Sequence, residues 1–189
     1  MALGLLLIGV VIVVLFVFGF FSYFINVYNA LVRLKNDIKK AWSNIDVLLK
    51  QRTDELPNLI ATVKGYMKHE KETLENVTKA RTAFLDAKTM GEKAKADSAL
   101  SGVLKTLFAV AENYPTLKAN ENFMQLQQRI SGIENELADR REFYNESVNT
   151  YNIKIHSFPD MFIANMMSLK DEEMFKATET EKQNVKVEF

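Results

Sequence analysis

The sequence predicts an all-α protein: an N-terminal transmembrane helix, then an antiparallel bundle of about four helices, the first very long and kinked near Pro57. Three observations predict it. No charged residue precedes Arg33, so all 24 Lys+Arg and 24 Asp+Glu of the 189-residue chain lie behind a long apolar start. From Leu31 onward apolar side chains recur at alternating steps of three and four, which places them on one face of a helix. Seven Gly and three Pro are too few for a turn-rich β chain. The absence of Cys excludes disulfides, thiolate chemistry and thiolate metal sites. Balanced charge gives no steering toward nucleic acid, and no nucleic-acid partner is expected.

The elements follow in order. Met1 to Ile25 holds no charge, and its interruptions, such as Gly4, Gly9, Gly19 and Ser22, are only small or weakly polar. As a helix it would cover about 37 Å, more than the roughly 30 Å of bilayer hydrocarbon. A cleaved signal peptide would need a basic start and a small-x-small cleavage site, whereas Val17 to Ile25 is a run of Phe and other bulky residues. An uncleaved anchor over 1–27 is therefore expected. Tyr23 and Tyr28 fall where an interfacial aromatic belt would end the span, and Arg33, Lys35, Lys39 and Lys40 follow closely. That Lys/Arg asymmetry places the N-terminus outside and the remainder in the cytoplasm; the same four cations also suit a solvated helix face.

Residues 28–175 read as the helical domain. Its seam runs from Leu31 through Ile38, Ile45, Leu49, Leu56, Leu59, Val63, Met67, Leu74 and Val77 to Phe84. Pro57 lies inside it and would ordinarily break a helix. Because the seam keeps its phase, one helix continuing to about Lys88 is expected, with a hairpin at Pro57 as the alternative. Gly91 is the expected stop. A helix over roughly 92–113 follows, ended by Tyr114-Pro115. Asn120 then caps a long helix whose seam includes Phe123, Ile130, Leu137, Tyr144, Tyr151 and Phe158. Pro159 ends that one, and Asp160 caps a short last helix. Residues 176–189 read as a charged tail whose closing Val185-Lys186-Val187-Glu188-Phe189 alternation is too isolated for a stable strand.

Two blocks of residues carry a family resemblance. The first is Tyr28-Asn29-Ala30-Leu31-Val32-Arg33-Leu34-Lys35-Asn36, Ala41-Trp42-Ser43-Asn44-Ile45-Asp46-Val47, Leu49-Lys50, Pro57-Asn58-Leu59 and Lys64-Gly65-Tyr66. The second is Ala111-Glu112-Asn113-Tyr114-Pro115, Asn122-Phe123, Leu126-Gln127, Arg140-Arg141, Phe143-Tyr144-Asn145, Tyr151-Asn152 and Phe158-Pro159. Together they resemble the LemA family from Tyr28 to about Ala164. Gln51-Arg52 departs from the two basic residues commonly found there. The resemblance implies a short anchor, a helical bundle and bacterial origin, so a single-pass protein of the bacterial inner membrane is expected. It implies no activity, and a magnetosome protein of similar type suggests a role in shaping or organising membrane.

The residues show no catalytic, cofactor or metal site. His69-Glu70-Lys71-Glu72-Thr73 begins like a zinc-protease motif, but Thr73 stands where the second imidazole is required. His156 has Asn152 and Ile153 where a di-iron bundle would place its carboxylate. Glu134 and Glu136 read as solvated helix faces, and the scattered glycines form no phosphate loop. The charged seam residues Arg52, Glu70, Arg81 and Arg140 are more informative. They suit snorkelling at the bundle edge, or ion pairs that fix register between helices or subunits. A first helix running to Lys88 outreaches the later helices and would leave seam uncovered around Leu59 and Val63. Self-association is therefore expected. The expected partners are the lipid bilayer and further copies of the chain, with a membrane protein as partner in the alternative reading. The functions that follow are a non-enzymatic, self-assembling membrane scaffold or, alternatively, an adaptor subunit of a membrane enzyme such as a protease.

Overall fold

The computed structural model describes residues 2–175; the charged tail at 176–189 lies outside the described residues. Six helices account for the regular structure among the described residues, and no strand occurs there. They are α1 (Ala2–Lys64), α2 (Lys71–Asp86), α3 (Met90–Ala111), α4 (Pro115–Lys118), α5 (Glu121–His156) and α6 (Asp160–Met166). The chain divides into two compact units: residues 2–41 with 144–174, and residues 42–143 with Phe175.

In the second unit the first helix ends at Lys64, not near Lys88, and passes through Pro57 without interruption. The chain then turns over Gly65–Glu70 and returns as α2. Tyr66 and Met67 close the turn by donating their N–H groups to the Val63 carbonyl at 3.0 and 2.9 Å. Met67 is fully buried at the bend. The seam therefore keeps its three-and-four spacing through the turn, so phase alone did not reveal it.

Pro57 lacks the N–H that would bond to the Thr53 carbonyl. Arg81, on the returning α2, donates its Nε–H to that carbonyl at 3.4 Å. The contact shows that α1 and α2 run antiparallel, and it partly replaces the bond that the proline removes.

The second correction is at Gly91. It lies inside α3 with no neighbour crowding it and without a positive φ, so it does not stop a helix. The boundary is drawn by Thr89, whose side chain accepts from the Glu92 N–H at 3.2 Å while Glu92 Oε2 accepts from the Thr89 N–H at 2.9 Å. This reciprocal capping box satisfies two orphan donors, and its Thr-x-x-Glu pattern is present in the sequence. Asn120 does cap α5, accepting from the Phe123 N–H at 3.0 Å. The core of this unit gathers Leu56, Leu59, Val63 and Met67 with Val77 and Ala80 of α2, Leu100, Leu104, Leu107 and Ala111 of α3, Leu117 of α4, and Phe123 and Ile130 of α5.

In the first unit, the buried residues are Val27, Leu31, Ile38 and Ala41 of α1, Tyr144, Val148, Tyr151 and Ile155 of α5, and Ile163 and Ala164 of α6. Helix α6 begins at Asp160 itself, with Pro159 in the cap position. It ends at Met166 with Met167 as cap, and the next residue, Ser168, has φ 53. Ser168 donates to the Asn165 carbonyl at 3.0 Å and Leu169 to the Ala164 carbonyl at 3.1 Å. This is a Schellman closure with serine where glycine is usual.

The chain then runs irregularly along α5, held by side chains of that helix. Tyr144 donates to the Glu173 carbonyl at 2.9 Å and Tyr151 to the Lys170 carbonyl at 3.2 Å. Asn152 both donates to the Glu172 carbonyl and accepts from its N–H, each at 3.0 Å.

Candidate functional site

Two features of the fold bear on function: the apolar start of α1 and a buried ion network in the second unit. The first follows from composition. From Leu6 onward α1 is long and apolar enough to cross a membrane, and the apolar stretch is not buried inside the protein. Phe16 and Phe18 are 77% and 73% exposed. Such a surface in water would be a large uncompensated apolar area. Near its end Tyr23 donates its hydroxyl to Asp160, which also accepts from Lys154 Nζ at 2.7 Å. The hydrogen bond from Lys154, followed by that from Tyr23, holds the Asp160 carboxyl below its ordinary value. Tyr28 and the cations Arg33, Lys39 and Lys40 are exposed, while Lys35 is half-buried.

The ion network is built around Arg52, a fully buried side chain on α1. Its guanidinium pairs with Asp97 of α3 and Glu134 of α5, and Nη1 donates to Ser101 Oγ at 2.9 Å. Ser101 in turn donates to Glu134 Oε1 at 2.5 Å. Arg141 of α5 pairs with the second oxygen of Asp97 and stacks on Phe175, its guanidinium carbon 4.9 Å from the ring centroid.

Two cations thus face two anions, and the cluster links α1, α3 and α5. Burial raises the Glu134 carboxyl, but the Arg52 charge, the Ser101 hydrogen bond and the Arg141 charge outweigh it and hold the group below its ordinary value. Burial, with Glu172 and Glu173 nearby, pushes the Tyr144 hydroxyl up to about 12.

The remaining sequence-predicted residues are scattered. Leu59 and Val63 are fully buried in the chain's own core, which leaves them no surface for a second subunit. Glu70 accepts from the Tyr114 hydroxyl at 3.0 Å, and Arg81 serves the Thr53 carbonyl. Arg140 is exposed and pairs with Glu136 at 3.0 Å within its own helix, so the helical phase that would have buried it did not do so. Its neighbour Arg141 faces inward instead.

Asp97, Ser101, Glu134 and Arg141 were missed as site residues, and Glu134 is not the solvated group expected. Asp97 recurs four residues before Ser101, and Glu134 seven before Arg141. That spacing marks a shared helix face but does not name a partner. His69 is exposed, and His156 Nε2 sits 2.7 Å from Asp171 at the surface. Among the described residues no group of three His, Asp or Glu side chains is placed to hold a metal.

A groove of about 630 Å³ lies between the end of α1 and α2, lined by Ile60, Met67 and Leu74 together with four lysines and Glu75.

Fold and site together define an all-helical protein with an apolar N-terminal helix of membrane-spanning length. Comparison with known proteins gives this class a family. The LemA family pattern matches residues 41–189, and the chain belongs to the LemA family. It is 29% identical over 170 residues to Protein LemA of Metamycoplasma hominis, covering 88% of this chain and 76% of the relative. Magnetosome protein MamQ 2 of Paramagnetospirillum magneticum is 27% identical over 192 residues, covering 88% of this chain and 71% of the relative. Magnetosome protein MamQ of Magnetospirillum gryphiswaldense is 23% identical over 174 residues, covering 78% of this chain and 64% of the relative.

Proposed function

We propose that this chain is a non-enzymatic, membrane-anchored scaffold that self-assembles and organises or shapes membrane. In this reading residues 1–27 cross the bacterial inner membrane with the N-terminus outside. The helical domain, an antiparallel bundle of about four helices whose first helix is kinked near Pro57, lies in the cytoplasm. The observation that carries the reading is α1 itself: a continuous helix whose exposed apolar start passes directly into a domain knit by a buried ion network. Similarity to proteins named for the magnetosome supports the same direction.

Anchoring in one bilayer raises the effective concentration of neighbouring copies and lowers the entropic cost of association. Because Leu59 and Val63 are internal, assembly must use other faces. Mass measurement of the full-length chain in lipid nanodiscs tests the reading. A large homo-oligomer is expected, with a smaller species for a chain beginning near Asn29; a full-length monomer would overturn it. A cytoplasm-only reporter fused after Phe189 should be active, and an active periplasmic reporter there would overturn the orientation.

The second reading, an adaptor for a membrane enzyme such as a protease, is favoured by the groove between α1 and α2, whose lining includes four lysines. It predicts a small species that grows when the partner is added.

A further inference from the structure

We infer that α6 and the turn before it form a second lipid contact, lying in the interface of the bilayer that α1 crosses; the inference rests on the membrane-spanning reading of α1. Helix α6 is short and apolar on two sides. Its inner side places Ile163 and Ala164 in the core, at 7% and 2% exposure. Its outer side carries Phe162 and Met166, one helical turn apart and therefore on the same face. They are 61% and 63% exposed, and the preceding Phe158 is 79% exposed. The Phe158 and Phe162 rings meet edge to face with centroids 6.0 Å apart, so the two form one continuous patch.

The single charged residue of α6, Asp160, does not soften this outer face. Its two carboxylate oxygens are taken by Tyr23 and Lys154. A helix apolar on both sides needs a second apolar environment, because water is a poor solvent for the face left over.

The Tyr23 contact indicates what that environment is. Tyr23 lies in the last turn of the apolar stretch of α1, and its hydroxyl bonds to the first residue of α6. The start of α6 is thereby tied to the depth at which α1 leaves the hydrocarbon. Amphipathic segments at that depth bury their apolar side about 5–10 Å into the headgroup and acyl boundary. The Tyr23–Asp160 bond thus ties the element that carries the patch to the end of the lipid-facing stretch of α1. The occupant of the patch is the lipid surface, met by aromatic and thioether side chains of the kind that suit an interface.

Depth-dependent quenching in full-length protein tests this. With Trp42→Phe as background, single reporters Phe162→Trp, Phe158→Trp, Phe16→Trp and Glu146→Trp are reconstituted in vesicles whose phospholipids carry bromine at defined acyl positions. Phe162→Trp and Phe158→Trp should lose intensity most with bromine near the headgroup, and Phe16→Trp with bromine deep in the chain. Glu146→Trp, ten residues before His156 on α5 and so roughly 15 Å along the helix, should not be quenched. Quenching of Phe16→Trp without quenching at either α6 reporter would overturn the lipid contact while leaving the span intact. Blue-shifted but unquenched α6 reporters would assign the patch to protein and overturn it equally. Equal quenching of Glu146→Trp would show a domain lying flat on lipid and remove the special role of α6. Loss of quenching at Phe16→Trp would overturn the spanning reading, and the inference with it.

Discussion

Replacing Arg52 by Met is the sharpest perturbation of this fold. The substitution keeps an unbranched apolar stem but is shorter than arginine, and it removes the guanidinium with its charge and donors. In the native protein Arg52 pairs with Asp97, which is 1% exposed, and with Glu134, which is 31% exposed. Removing one partner of a buried pair typically destabilises by about 3–5 kcal/mol, because the other charge stays desolvated. Here two features reduce the loss. Arg141 remains on the second oxygen of Asp97, and Glu134 is exposed enough to recover some hydration. The expected loss is therefore at the lower end, about 3 kcal/mol. For a chain of this size that corresponds to a fall in Tm of roughly 6–12 °C.

Thermal unfolding of full-length protein in mild detergent, followed by far-UV circular dichroism, measures it. Arg140→Met is the matched control, since its ion pair is exposed and local to one helix; its loss should be about 0.5 kcal/mol or less. A double-mutant cycle of Arg52→Met with Asp97→Leu should show coupling of about 0.5–3 kcal/mol. If Arg52→Met melts with Arg140→Met, the network does not hold the helices together and this reasoning fails.

The remaining predictions concern acid, backbone and turn. The Glu134 carboxyl sits below its ordinary value in the folded state, so its contribution is present above the unfolded value near 4.5 and disappears as pH falls through the folded one. Stability should drop on acidification through that range, and Glu134→Gln should flatten the dependence in melts taken across it; an unchanged profile would refute the assignment. Pro57→Ala supplies an N–H for the Thr53 carbonyl, so Arg81→Met should lose about 0.5–1 kcal/mol in the parent and less in the Pro57→Ala background, as measured by denaturant unfolding. Ser168 holds a left-handed conformation at the close of α6, and Ser168→Gly should stabilise by about 0.5–1 kcal/mol; a fall in Tm would contradict the strain argument.

What the sequence determined by itself is what local spacing and composition encode. The helical class, the apolar N-terminal stretch, the Asn120 cap and the inward set of Leu56, Leu59, Val63, Phe123 and Ile130 follow from periodicity and capping chemistry, which act over a few residues. Two boundaries went astray for separate reasons. The turn at Gly65–Glu70 hides because Met67 fills the seam position whether the chain continues or folds back. The Thr89-Glu92 capping box was legible, but Gly91 inside it drew the reading to the wrong residue.

Only tertiary structure decided which charges are buried together. Arg140 and Arg141 are adjacent and chemically identical, yet one lies in solvent and the other on Asp97. The direction each takes depends on how α5 is rotated against α3. That rotation is set by packing partners far away in sequence, and no local pattern carries it.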